Sequence, residues 1–213
     1  MTHQPKSIMR KQKGRNMKSI TLKSMSALAL TLVAGGMMTT ASAAEFKQNS
    51  DGKIEYQKGT INIVDPDNPS AAAVPSFDFG QQDITAKNKT YDAVTAGTLK
   101  VSDLRGTGEG WNVTVTQSTQ LKTTNNDELT GAQLTLDAGT TFNSSSEIVM
   151  ATPATLTVGN ASKVFDAQVN NGNGISTLTY APNQAHLEVP GSTAKKSEAY
   201  TAELVWTLTD SPA

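Results

Sequence analysis

From residue 59 onward, apolar side chains recur at every second position, the period at which successive strand residues point to opposite faces. Residues 59–64 (GTINIV) set Ile61 and Ile63 among polar neighbours. Residues 76–80 (SFDFG) are short and aromatic, while 98–104 (TLKVSDL) and 111–117 (WNVTVTQ) alternate cleanly. The series continues through 134–136, 154–158, 163–169, 175–180 and 186–189, and ends in the longest segment, 199–209 (AYTAELVWTLT). Between them, Asn170-Asn171-Gly172-Asn173-Gly174 is a turn signal, because Asn and Gly tolerate positive φ. Pro66, Pro69 and Pro75 make 65–75 an extended loop. No segment has helical periodicity. Short strands with turns at intervals of roughly 8–12 residues predict an all-β fold. The expectation is an antiparallel β-sandwich, Greek-key or Ig-like, with long Pro/Gly/Asn-rich loops, over residues 59–213.

Two of these strands carry the only tryptophans of the chain. In the first, Trp111, Val113 and Val115 share a face, opposite Asn112, Thr114 and Thr116. In the last, Tyr200, Ala202, Leu204, Trp206 and Leu208 oppose Thr201, Glu203, Val205, Thr207 and Thr209. Each indole therefore has an aliphatic partner two positions on. Such faces serve either as core or as an exposed platform for sugar rings or an apolar partner. An intermediate arrangement buries most of a Trp while one edge lines a groove.

The residues before the strands have a different character. An apolar run at 27–38 (ALALTLVAGGMM) follows a basic stretch ending at Lys23, and Ala41 and Ala43 supply the small residues required by signal peptidase. A signal peptide over 1–43, cleaved before Ala44, is the expectation, with Met17 an alternative start. The run is too short for a bilayer-spanning helix of about 20 residues. Residues 44–58 form a polar leader. The C-terminal end carries no LPxTG-type signal or hydrophobic tail, and without cysteine there is no lipoprotein anchor. Retention at the surface is therefore expected to depend on the folded domain itself, without membrane insertion.

Charge sharpens this picture. Seven of the 18 basic residues precede residue 44 and all 19 acidic ones follow, leaving the remainder at 11 minus 19, or −8. So acidic a surface lacks the Lys and Arg needed to displace counterions from nucleic acid, and gains nothing from anionic lipid. The absence of cysteine excludes disulfides and thiolate metal sites.

Catalytic patterns are missing. His186 is the single histidine after residue 44 and is read as a surface or cross-strand residue. No GxSxG or HExxH occurs. Asp103, Glu109, Glu188 and Glu203 could pair as carboxylates only in three dimensions. No enzyme activity and no cofactor are expected. Gly106, Gly108 and Gly110 lie in Arg105-Gly-Thr-Gly-Glu-Gly, but a strand follows them, not a helix N-terminus suited to phosphate. They are read as a flexible hairpin connection, with Asp103 and Arg105 pairing across it. Asp65, Asp67 and Asn68 lack the glycine and terminal Glu of an EF-hand loop.

Taken together, Leu99-x-Val101-x-Asp103-Leu104-Arg105-Gly106-Thr107-Gly108-x-Gly110-Trp111-x-Val113 and Tyr200-x-Ala202-x-Leu204-x-Trp206-Thr207-Leu208 resemble the WxL domain of Gram-positive surface proteins. Phe77-x-Phe79-Gly80, Gly131-Ala132-x-Leu134-x-Leu136 and Leu187-x-Val189-Pro190 resemble its intermediate blocks. One departure is Val113, which stands where the name has Leu. The resemblance implies non-covalent attachment to peptidoglycan through the region of both tryptophan motifs, here Trp111, Val113, Trp206 and Leu208 with Asp103, Arg105 and the three glycines. It further implies a membrane-anchored WxL-interacting protein and other surface proteins as partners. The alternative is an interaction subunit of a surface complex with no affinity for peptidoglycan.

Overall fold

The computed structural model describes residues 48–65, 67–69 and 73–212. The expected signal peptide lies outside them. The chain divides into two units, Met1–Gly52 and Lys53–Ala213. Of the first, only residues 48–52 are described; they are exposed and without regular structure. All strands belong to the second.

Twelve strands are found among the described residues: β1 (Ile61–Ile63), β2 (Lys89–Asp92), β3 (Gly97–Asp103), β4 (Trp111–Gln117), β5 (Gln133–Leu136), β6 (Thr140–Asn143), β7 (Met150–Ala151), β8 (Ala154–Thr155), β9 (Ala161–Ala167), β10 (Gly174–Tyr180), β11 (Ala185–Val189) and β12 (Leu204–Thr209). No helix occurs among them. Every strand pair is antiparallel, as expected from the sequence. The strands partition into three ladders, where a sandwich would have two: β1-β3-β10-β6, β2-β11-β5-β8 and β12-β4-β9-β7.

Alternation explains why the three share one core. Leu99 and Val101 of β3 meet Leu178 and Tyr180 of β10; Leu134, Leu136 and Ala185 come from the second sheet; Trp111, Val113, Val115 and Phe165 come from the third. Where an apolar stripe of each sheet faces inward, water is excluded at about 25 cal/mol per Å² of apolar area. A smaller cluster of Tyr91, Leu121, Leu129, Leu187 and Val189 packs beside it. In β9 one extra residue intrudes, since Val113 pairs with Phe165 but Thr114 with Lys163. This bulge breaks the alternation and buries Val164, Phe165, Asp166 and Ala167 in succession.

Three expectations are corrected. Residues 76–80 form no strand: Asp78 turns back to accept the Gly80 N–H at 2.8 Å, and only its carbonyl reaches a neighbour, the Val94 N–H at 2.7 Å. The long segment 199–209 enters its ladder only at Leu204, because its partner β4 ends at Gln117; Thr201 bridges Lys122 instead. The glycine-rich segment after Asp103 is not a hairpin, since β3 lies in the first sheet and β4 in the third. It carries the chain from one sheet to another. Strands β2, β6 and β7 carried little periodic signal. Lys89–Asp92 has one buried residue, the Phe142 of β6 points outward, and β7 has two residues.

Candidate functional site

The two tryptophan strands are neighbours. β12 is the edge of the third sheet and β4 lies next to it, with Trp206 opposite Val115, Leu208 opposite Val113 and Thr207 opposite Thr114. The parity read from the sequence holds along both strands, but the two indoles meet different surroundings.

Trp111 is fully buried, as is Val113. Its ring packs edge-on against Phe165, with centroids 4.9 Å apart at 70°, the geometry that the ring quadrupoles favour. Its Nε1–H donates to the Gly172 carbonyl at 3.1 Å, so the one polar atom of the indole is satisfied. Gly172 has φ +84°, and a Cβ there would lie 2.4 Å from Trp111 Nε1 and from the Ala167 methyl. The Asn-Gly turn at 170–174 therefore closes over the ring. Trp111 belongs to the core and offers no surface to a ligand.

Trp206 follows the intermediate arrangement. It is half-buried with Leu204 and Leu208, packed against the main core, and it borders an open groove of about 940 Å³. Phe77, Phe79, Tyr91, Leu187 and Tyr200 also line this groove. No local sequence signal points to Phe79 or Tyr91 as groove residues, whereas Tyr200 shares the strand parity of Trp206.

Asp103 and Arg105 do pair, and they pair inside the protein. They are 2% and 6% exposed. Arg105 Nε–H and Nη2–H donate to the two Asp103 oxygens at 2.9 and 2.8 Å, a fork that carboxylate geometry matches. The remaining guanidinium N–H groups reach the Gly110 carbonyl at 2.8 Å, Glu109 Oε2 at 3.1 Å and the Asp210 carbonyl at 3.0 Å. Every donor is thereby used, which a buried charge requires. The Asp103 carboxylate holds Arg105 protonated more firmly than an ordinary guanidinium, against the opposing effect of burial. Asn112, which faces away from Trp111, donates to the Ser211 carbonyl at 2.8 Å. The first motif thus clasps the chain just beyond the second.

The glycines permit this clasp. Gly106, Gly108 and Gly110 have φ of +66°, +65° and +76°, and a Cβ on Gly110 would lie 2.6 Å from the Ala167 carbonyl. They shape the crossing. His186 is a cross-strand residue, as expected: Nδ1 lies 2.7 Å from Asp92 Oδ1 and Nε2 lies 3.2 Å from Asp137 Oδ2. Asp65 is held by Lys100 Nζ at 2.7 Å, and that contact lowers its pKa.

The outward side of the third sheet bears the motif residues that point away from the core. Val205, Thr207 and Thr209 are exposed on β12, and Thr114 and Thr116 are half-exposed on β4 although that strand is flanked on both sides. Register sets Thr207 against Thr114 and Val205 against Thr116, giving a hydroxyl-bearing face.

The second unit is thus an all-β domain whose two Trp-x-aliphatic strands lie side by side, tied by a buried Asp–Arg fork. The chain belongs to the WxL family, whose model, described as WxL domain surface cell wall-binding, matches residues 36–212. No curated protein and no solved structure matches the chain.

Proposed function

We propose that this cell wall-binding domain is exported, attaches non-covalently to peptidoglycan, and makes its contact through the outward face of the third sheet. The observation that carries the reading is the division of the motif strands by parity. Their inward positions pack on the core or line the groove, so the wall is met by the outward Thr114, Thr116, Val205, Thr207 and Thr209. Hydroxyls suit the hydrogen-bonding groups of glycan and peptide, and a net charge near −8 after residue 44 rules against attraction to anionic wall polymers. Trp111, Val113, Asp103, Arg105, Gly106, Gly108 and Gly110 hold this sheet in shape. In the test, purified domain is sedimented with protein-free sacculi. Thr114→Ala combined with Thr207→Ala should abolish co-sedimentation while costing no more than about 1–2 kcal/mol in stability. Retention of full binding by a folded double variant would refute the assignment.

A second reading, an interaction subunit of a surface complex, is favoured by the apolar groove beside Trp206. Absence of co-sedimentation by the unaltered domain would select it.

A further inference from the structure

Two apolar features of the second unit have no partner among the described residues, and they lie at opposite ends of that unit. The first is the arm Lys53–Lys58 that leads into β1. Every residue in it is exposed; Ile54 is 74% and Tyr56 85% accessible. Their spacing puts both on one side of an extended segment. The second is the groove, whose floor is the smaller core cluster and whose walls include Phe77, Phe79, Tyr200 and Trp206.

Register fixes their separation. Ile61 lies opposite Asp103, and the Gly59 N–H reaches the Leu104 carbonyl at 2.9 Å, so the arm leaves at the Asp103 end of β3. Pro75 and Phe77 sit against Gly97 at the other end of that strand. The distance between the two ends is about 20 Å at the rise of a strand. The third sheet agrees: Leu204, at the groove, pairs with Gln117, at the end of β4 away from Trp111. The arm therefore starts from the end of the domain away from its own groove. Its six exposed residues span about 20 Å when extended, enough to enter a neighbour.

Charge is consistent with this fit. On the groove, Lys195 is held by the Pro190 and Thr193 carbonyls at 2.9 and 3.0 Å, and Lys196 by Asp127 at 2.6 Å. No cation among the described residues pairs with Asp78 or Asp83 on its rim. The arm sets Lys53 and Lys58 on either side of Ile54 and Tyr56; the solvated Lys53–Glu55 pair, at 3.3 Å and about 80% exposed, is easily given up.

We infer that the groove receives the Ile54-x-Tyr56 arm of a second copy of this chain, so that the domains join head to tail. Such an interface is heterologous and does not close on itself, which produces open rows of molecules rather than a symmetric dimer. The inference deepens the second reading of function, and its test contains no wall material, so its failure leaves peptidoglycan binding untouched.

The chain has no cysteine, which makes cross-linking clean. The exported chain, residues 44–213, carrying both Tyr56→Cys and Ala199→Cys is oxidised and run without reductant. A ladder of dimers, trimers and higher species is expected, whereas either single variant stops at the dimer. In sedimentation velocity the mass of the unaltered chain rises with concentration, and Ile54→Ser with Tyr56→Ser weakens association by about tenfold or more. Both substitutions are at exposed positions and leave the fold intact. A cross-linked monomer with no ladder would mean that the arm folds back on its own groove, and would overturn the inference. So would a mass independent of concentration together with no cross-link.

Discussion

Replacing Trp111 by alanine tests the core assignment most directly. The side chain is wholly buried, packs edge-on against Phe165 with centroids 4.9 Å apart, and donates to the Gly172 carbonyl at 3.1 Å. Removing a buried aromatic side chain costs about 3–5 kcal/mol through lost transfer energy and the cavity left behind. The carbonyl of buried Gly172 also loses its donor, adding about 1 kcal/mol or more. The sum, about 4–6 kcal/mol, is comparable to the whole stability of many domains, which runs from about 5 to 15 kcal/mol. Trp206→Ala removes a half-buried ring at a sheet edge and should cost about half as much. Urea unfolding followed by circular dichroism reads the difference. With a slope of about 2 kcal/mol per M, Trp111→Ala moves the midpoint down by about 2–3 M and Trp206→Ala by about 1 M. Trp206→Phe leaves Trp111 as the sole indole, and its emission should be shifted to the blue and resist acrylamide quenching. Equal midpoints for the two alanine variants, or ready quenching of Trp111, would refute the division between a core indole and a groove indole.

Arg105→Met leaves the Asp103 carboxylate buried without its partner, and should destabilise by about 3–5 kcal/mol by thermal unfolding. Asp103→Leu combined with Arg105→Met removes both charges and should restore part of that loss. Hydrogen bonding to Asp92 first, and to Asp137 besides, favours the protonated form of His186 against the opposing effect of burial and raises its pKa above the ordinary 6.5. A raised folded-state value means stability that is fully present below 6.5 and declines as pH rises through the folded pKa. Melting temperature should therefore fall across that window, and His186→Gln should flatten the slope; an unchanged slope would contradict the ion-pair reading.

Period-two patterning identified β4 residue for residue and placed β3, β9, β10, β11 and β12 within a few positions, because each has at least five residues with one apolar face. It missed β6 because Phe142 is 64% exposed, so the one strong apolar side chain of that strand points to solvent. It extended the last strand to residue 199 because alternation continues there without a hydrogen-bonding partner. Of the site, the facing of the motif residues on β4 and β12 was legible, and so was the pairing of Asp103 with Arg105. The contacts of that pair with the Asp210 carbonyl, 105 residues away, had no local signal.

The chain's own pattern determined the fold class and which side of each strand is apolar, since side-chain parity is a local property of extended backbone. It could not distinguish the two tryptophans, which carry the same Trp-x-aliphatic pattern. Their fates diverge because β4 is an inner strand, roofed by Gly172 and Phe165, while β12 is an edge. Likewise, three glycines with positive φ fit a hairpin or a crossing equally well, and only the assembly of three sheets around one core selects the crossing. Burial and strand neighbourhood are sums over contacts between distant segments, and those sums exist only once the chain has packed.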